Sequence, residues 1–121
     1  MTAETAENRY YELIDKFEFI EEDIHNFLDI YNKYKEESDF IKKKDFKERV
    51  YFKVKILKTN AQYNSLLNKA TSLIKEMAEC VAILKDNELL EEIEEIGQDL
   101  KQWHNQIFSI IKELMPENEA A

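Results

Sequence analysis

Few residues of this 121-residue chain have the types and spacing of a catalytic or metal site. Glu22 and His25 form an E-x-x-H pair, a spacing with which helical bundles hold a di-iron centre. Such a centre needs a second E-x-x-H pair, but the other histidine, His104, has Lys101 where the glutamate would stand. We therefore predict that the protein has no metal site, no cofactor and no catalytic residues.

The single cysteine and the single glycine also favour a protein that is not an enzyme. Cys80 falls at a core spacing between apolar residues, so we interpret it as a small core residue and not as a nucleophile. One glycine is too few for the glycine-rich loops that hold phosphate groups. Gly97 falls inside a helical segment, where it predicts close approach of a neighbouring helix, with a hinge as the alternative.

The composition indicates that helices position these side chains. Glycine and proline occur once each, whereas average usage gives about 8 and 6 in a chain of this length. Folds rich in tight turns, such as sandwiches, barrels and Rossmann-type folds, are therefore disfavoured. The sequence also lacks a signal-peptide pattern and a membrane-spanning apolar run, and its cysteine has no internal partner, so we expect a cytoplasmic protein.

Three runs of apolar residues at alternating steps of three and four predict three long helices, because each step returns the side chain to one helix face. The first run is Tyr10, Leu13, Phe17, Ile20, Ile24, Phe27, Tyr31 and Tyr34. The second run is Phe52, Ile56, Thr59, Tyr63, Leu66, Ala70, Leu73, Met77, Cys80 and Leu84, with Thr59 as its one polar member. The third run is Leu89, Ile93, Ile96, Leu100, Trp103, Ile107, Ile110 and Leu114.

These runs predict a single all-α domain over residues 1–121, an antiparallel three-helix bundle with long coiled-coil-like helices. We expect helices at about 8–37, 45–85 and 88–114, followed by a loose tail at 117–121. We favour a continuous or slightly bent second helix over a helix that breaks near residue 59, where Thr59 and Gln62 have the spacing of a capping box. We also expect this second helix to overhang its shorter neighbours.

The charges are distributed unevenly along the chain, whose net charge is −9. Residues 1–41 carry a net −8 and residues 59–121 a net −7, whereas residues 42–58 carry +6. The basic side chains of this middle segment are Lys42, Lys43, Lys44, Lys47, Arg49, Lys53, Lys55 and Lys58. They either offset the acidic helices within the molecule or contact an acidic or phosphate-bearing partner. The overall negative charge makes nucleic acid an unfavourable direct ligand.

The same segment has apolar residues away from its heptad run. They are Phe46, Val50, Tyr51, Val54 and Leu57. A helix of a three-helix bundle needs one apolar stripe, so a second stripe implies either an internal cover by Phe40 and Ile41 or an exposed partner site. We expect the partner to be another protein or a second copy of this chain, which would make the protein an oligomer.

An acidic strip lies on the third helix and consists of Glu91, Glu92, Glu94, Glu95 and Asp99. Charge runs of this kind are usually solvated helix faces. The sequence therefore predicts a non-catalytic protein–protein interaction module, such as an adaptor, a small chaperone or a subunit of an assembly. The alternative is a compact acidic inhibitor or immunity-type protein that blocks a basic partner, for example one that binds nucleic acid.

Overall fold

A computed structural model describes residues 1–116, which form three α-helices. Helix α1 spans Ala3–Ile41, α2 spans Phe46–Leu84 and α3 spans Asn87–Leu114. The predicted tail at 117–121 lies outside the described residues. Within the described part, no helix combines the length and the apolar character needed to cross a membrane.

Contacts near both ends of the helices establish the topology of the hairpin formed by α1 and α2. Arg9 donates a hydrogen bond to Glu76 at 2.7 Å, and the hydroxyls of Tyr34 and Thr59 lie 2.8 Å apart. From the first contact to the second, the residue number rises in α1 and falls in α2, so these two helices are antiparallel.

Helix α3 runs parallel to α1 and antiparallel to α2. The Tyr10 hydroxyl donates a hydrogen bond to Glu92 near the start of both α1 and α3, at 2.8 Å. Toward the other end, Lys35 Nζ lies 3.3 Å from a Glu113 carboxylate oxygen. The predicted all-α fold, an antiparallel three-helix bundle, is confirmed.

The three heptad runs form the core of this bundle. In α1 every member of the run is buried except Phe27, which is half-buried. In α2 and α3 the members are buried or half-buried, and the largest fully enclosed side chains are Ile56, Tyr63, Met77 and Ile107. Burial of these apolar side chains, at roughly 25 cal/mol per Å², is the main source of stability.

The helix ends are set by short polar side chains. Thr2 accepts a hydrogen bond from the Thr5 amide and begins α1 at Ala3, five residues earlier than expected. Asp45 accepts from the Glu48 amide, and Asp86 accepts from two amides at the start of α3. Lys85 adopts a left-handed conformation with φ of 55°, which allows the reversal between α2 and α3.

The connection between the first two helices is shorter than the predicted bounds, which placed it at about 38–44. Helix α1 continues to Ile41, and the connection is only residues 42–45. Helix α2 passes through Thr59 without interruption, so the prediction of an unbroken second helix is confirmed. The Thr59 hydroxyl donates to the Lys55 carbonyl of its own helix instead of capping a new one.

The prediction that α2 overhangs both neighbours is wrong with respect to α1. Both helices contain 39 residues, because the polar segment at 36–41 extends α1. Only α3, with 28 residues, is shorter. Beyond Lys35, which pairs with Glu113 in the last turn of α3, α1 continues for six residues, or about 9 Å. The overhang is therefore a two-helix tip.

The prediction that a neighbouring helix approaches closely at Gly97 is also wrong. A Cβ atom placed on Gly97 would meet nothing within 4 Å, so no helix approaches closely enough to require glycine. The residue is half-buried in the first half of α3 and has no unusual backbone conformation. Nothing in the described structure explains the glycine at this position.

Candidate interaction surface

The predicted apolar partner residues are all exposed. The exposed fractions are 74% for Phe46, 41% for Val50, 74% for Tyr51, 41% for Val54 and 50% for Leu57. At 3.6 residues per turn, four of them lie on the side of α2 opposite its buried heptad run, and Tyr51 lies apart from this row. We call Phe46, Val50, Val54 and Leu57 the outward row of α2.

Phe40 and Ile41 do not cover the outward row. Phe40 is 71% exposed at the end of α1, so it contributes another apolar side chain to the surface of the tip. Ile41 is half-buried and packs against the core, on the opposite side of α2 from the row. The internal cover that the sequence left open is therefore absent among the described residues.

The basic side chains are exposed and lie around the tip instead of on one face. Lys42, Arg49 and Lys53 line a groove of about 270 Å³ where α3 ends. Its apolar lining is Ile41, Phe52, Ile56, Leu114 and Pro116. On the other side of the hairpin, a cavity of about 620 Å³ is lined by Lys44, Lys47, Lys55 and Tyr51, among others.

Some of these cations are used within the molecule. Lys55 Nζ lies 3.9 Å from a carboxylate oxygen of Glu37 and 5.3 Å from the centre of the Tyr34 ring. Lys42 Nζ lies 3.8 Å from a carboxylate oxygen of Asp39. Exposed pairs at such distances are worth at most about 1 kcal/mol each. The intramolecular explanation of the basic segment therefore applies to Lys42 and Lys55.

The five acidic residues predicted to form a strip on α3 are all exposed. Glu91, Glu95 and Asp99, spaced by four residues, follow the outward side of the helix. Glu92 turns toward α1 and accepts the hydrogen bond from Tyr10, whose pKa is raised above its ordinary value by burial and by this carboxylate. Glu94 lies on the other flank of the helix.

The residues first considered for chemistry have structural contacts. The His25 ring meets the Trp103 ring edge-on, with centroids 4.9 Å apart. Nδ1 of His104 is 2.9 Å from the Tyr63 hydroxyl. Cys80 is buried, which raises the pKa of its thiol. Within residues 1–116, no group of three or more histidine, cysteine, aspartate or glutamate side chains could hold a metal ion.

A layer of hydrogen-bonded tyrosines inside the bundle was missed from the sequence. Tyr31 donates to Asn60 at 2.6 Å, Tyr34 contacts Thr59, and Tyr63 contacts His104. The signal was present as Thr59, the one polar member of the second heptad run, opposite tyrosines in the first run. A polar residue at a core position that faces a tyrosine is expected to form a hydrogen bond with the tyrosine hydroxyl.

Comparison with known proteins assigns no family to this chain. No protein-family model, curated protein or solved structure gives a significant match. The interpretation of the surface therefore depends on its own geometry and charge.

Proposed function

We propose that this protein is a non-catalytic interaction module, such as an adaptor, a small chaperone or a subunit of an assembly. In this proposal another protein binds the outward row of α2. The observation that carries the proposal is the exposure of four apolar side chains in line on a helix that already buries a separate apolar face. Contiguous exposed apolar surface of this kind usually marks an interaction site.

The chemistry of the surface supports a protein partner. Burying the outward row would supply free energy of association at roughly 25 cal/mol per Å², before the cost of ordering is subtracted. The surrounding lysines and Arg49 would steer an acidic partner and fix its orientation. We also propose a cytoplasmic location, because the one cysteine is a free, buried thiol, which suits a reducing compartment.

Affinity capture from the native cell tests this proposal with a matched pair of variants. Val54→Glu with Leu57→Glu places two charges in the outward row. Phe19→Glu with Ile83→Glu places the same two charges at exposed apolar positions elsewhere on α1 and α2. Both variants should stay folded, with unfolding free energies within about 1 kcal/mol of the wild type, because these are surface positions.

We expect a protein that the wild type and the Phe19/Ile83 variant retain and that the Val54/Leu57 variant loses. Retention of the same protein by all three would contradict the proposal. So would collapse of the Val54/Leu57 variant while the wild type is a monomer, since these residues would then be ordinary core.

The acidic inhibitor is the second candidate because Glu91, Glu95 and Asp99 present aligned carboxylates to solvent. In that case a basic partner would bind α3 and be lost on changing Glu91, Glu92 and Glu95 to lysine. The same partner would be retained by the Val54/Leu57 variant. Capture with both variants therefore distinguishes the two functions.

A further inference from the structure

The two-helix tip has one side that a third helix does not cover. Helix α3 ends at Leu114, whereas α1 and α2 both extend beyond that point. The groove of about 270 Å³ lies in this position, and its apolar wall includes Ile41, Phe52 and Ile56. The groove is on the opposite side of α2 from the outward row, so its occupant is independent of the proposed function.

The size of the groove favours an extended segment over a helix. One turn of an α-helix, with a diameter of about 10 Å and a pitch of about 5.4 Å, fills about 400 Å³. This volume exceeds that of the groove. An extended chain is narrower, since neighbouring strands lie only about 5 Å apart.

The chain leaves α3 beside this groove, and it is already extended there. Met115 has φ of −127° and ψ of 90°, as expected for a residue that precedes proline. Its side chain is buried, and Asn60 of α2 donates a hydrogen bond to its sulfur at 3.7 Å. Pro116 lines the groove itself. The described chain therefore ends in the wall of the groove.

Residues 117–121, which lie outside the described part of the chain, are long enough to cross the groove. Along α2 the groove runs from Ile56 to Arg49, a distance of seven residues or about 10 Å. Five residues in an extended conformation span up to about 17 Å. The segment can therefore reach the far end of the groove.

The charges of the segment and of the groove are complementary. The segment, Glu-Asn-Glu-Ala-Ala, has two carboxylates and no basic side chain. Alternate side chains of an extended chain face the same way, so Glu117 and Glu119 can face the groove together. Lys42 and Arg49 line the groove, and Arg49 makes no ion pair within residues 1–116.

We propose that residues 117–121 dock in this groove as an extended strap, with their carboxylates toward Arg49. The strap completes the third side of the bundle beyond the end of α3 and covers the apolar wall of the groove. Glu113 also lines the groove, but its carboxylate pairs with Lys35, which reduces its repulsion of the strap. Docking replaces the loose tail expected from the sequence.

A nitroxide spin label on the segment tests the proposal through the broadening of methyl NMR signals. Ala120→Cys provides one accessible attachment site, because Cys80 is buried. Ile41 lies in the wall of the groove, whereas Val50 is exposed on the opposite side of α2 at the same end of the bundle. We expect the label to broaden the Ile41 signal more strongly than the Val50 signal.

Charge reversal distinguishes docking from mere proximity to the end of α3. Arg49→Glu should weaken docking by about fivefold or more and reduce the broadening at Ile41, because an attractive pair becomes repulsive. Adding Glu117→Lys with Glu119→Lys should restore the broadening. Lys47→Glu is the matched control, because it makes the same change of charge outside the groove and should leave the broadening unchanged. Both cations belong to exposed residues, so circular dichroism should show an unchanged helix content.

Three results would overturn the inference. The first is equal broadening at Ile41 and Val50. The second is broadening at Ile41 that Arg49→Glu leaves unchanged, as expected of a segment that only passes near the groove. The third comes from a mixture of spin-labelled protein without isotopes and isotope-labelled protein without the spin label. Broadening at Ile41 in that mixture would show that the occupant is the segment of a second copy.

Discussion

Replacing Thr59 by valine should destabilise the protein even though it removes the one polar residue from the heptad run of α2. The Thr59 hydroxyl has a single proton, which it donates to the Lys55 carbonyl at 3.0 Å. It therefore accepts the hydrogen bond from the Tyr34 hydroxyl, 2.8 Å away in a buried position. Valine has nearly the same shape but leaves the Tyr34 hydroxyl without an acceptor, which costs about 1–3 kcal/mol.

The size of the effect can be measured by urea or thermal unfolding followed by circular dichroism. We expect Thr59→Val to lose about 1–3 kcal/mol of unfolding free energy. Tyr34→Phe, which removes the donor, should lose less. The double variant should lose less than the sum of the two, because no unpaired hydroxyl remains, and the difference is the coupling energy of the pair.

Thr71→Val is the matched control for this cycle. Thr71 makes the same bond to the carbonyl four residues earlier, that of Leu67, at 2.9 Å. It is exposed, and its hydroxyl is not part of the tyrosine layer. We expect a change within about 0.5 kcal/mol. Stabilisation by Thr59→Val, or additive effects in the double variant, would refute the assignment of the Tyr34–Thr59 pair as a structural hydrogen bond.

Three other properties follow from the structure. Gly97→Ala should stabilise the protein by up to about 1 kcal/mol, because nothing obstructs the added methyl group; a lower melting temperature would show that glycine is needed there. Burial raises the pKa of Tyr10, Tyr31 and Tyr63 above the ordinary value of 10.0. Because these tyrosines have a lower pKa in the unfolded chain, the unfolded chain loses their protons at a lower pH than the folded protein does. The free energy of unfolding should therefore be constant up to about pH 10 and fall above it. An unfolding midpoint unchanged from pH 8 to about pH 11 would contradict this. Cys80 should react with a thiol reagent only after unfolding, because burial both blocks access and raises the pKa of its thiol; rapid reaction in the native protein would contradict its position in the core.

The fold could be predicted from the sequence because one strong signal repeats along the chain. Steps of three and four residues from Tyr10 to Tyr34 identify a buried face without any knowledge of what covers it. The outward row was visible for the same reason: Val50, Val54 and Leu57 do not fit the heptad run of their own helix. Their exposure agrees with the expectation of a second apolar face.

The predictions that were wrong depend on the distances between helices and on how far each helix extends, and a periodic pattern does not contain this information. Gly97 was interpreted as a point of close approach, but the sequence cannot tell how far the facing side chains hold the helices apart. The segment at 36–41 is polar apart from Phe40 and Ile41, yet it is helical because α1 continues beyond α3 beside α2. Its polarity reflects exposure at the tip and not a loop.

The tyrosine layer shows a different limit. Thr59 is the exception to the apolar pattern of its run, but the sequence does not identify its partner because contacts across helices depend on their relative register. Once α1 and α2 are aligned, Thr59 falls beside Tyr34 and Asn60 beside Tyr31. The polar residues then become satisfied members of the core.

Site-specific photocrosslinking in the native cell tests the central claim most directly. A benzoylphenylalanine at position 54 reports what touches the outward row of α2, and the same group at position 19 reports an exposed position outside it. We predict a covalent adduct with a second protein from position 54 that does not form from position 19. Failure to form an adduct at position 54, or the same adduct from both positions, would contradict the account.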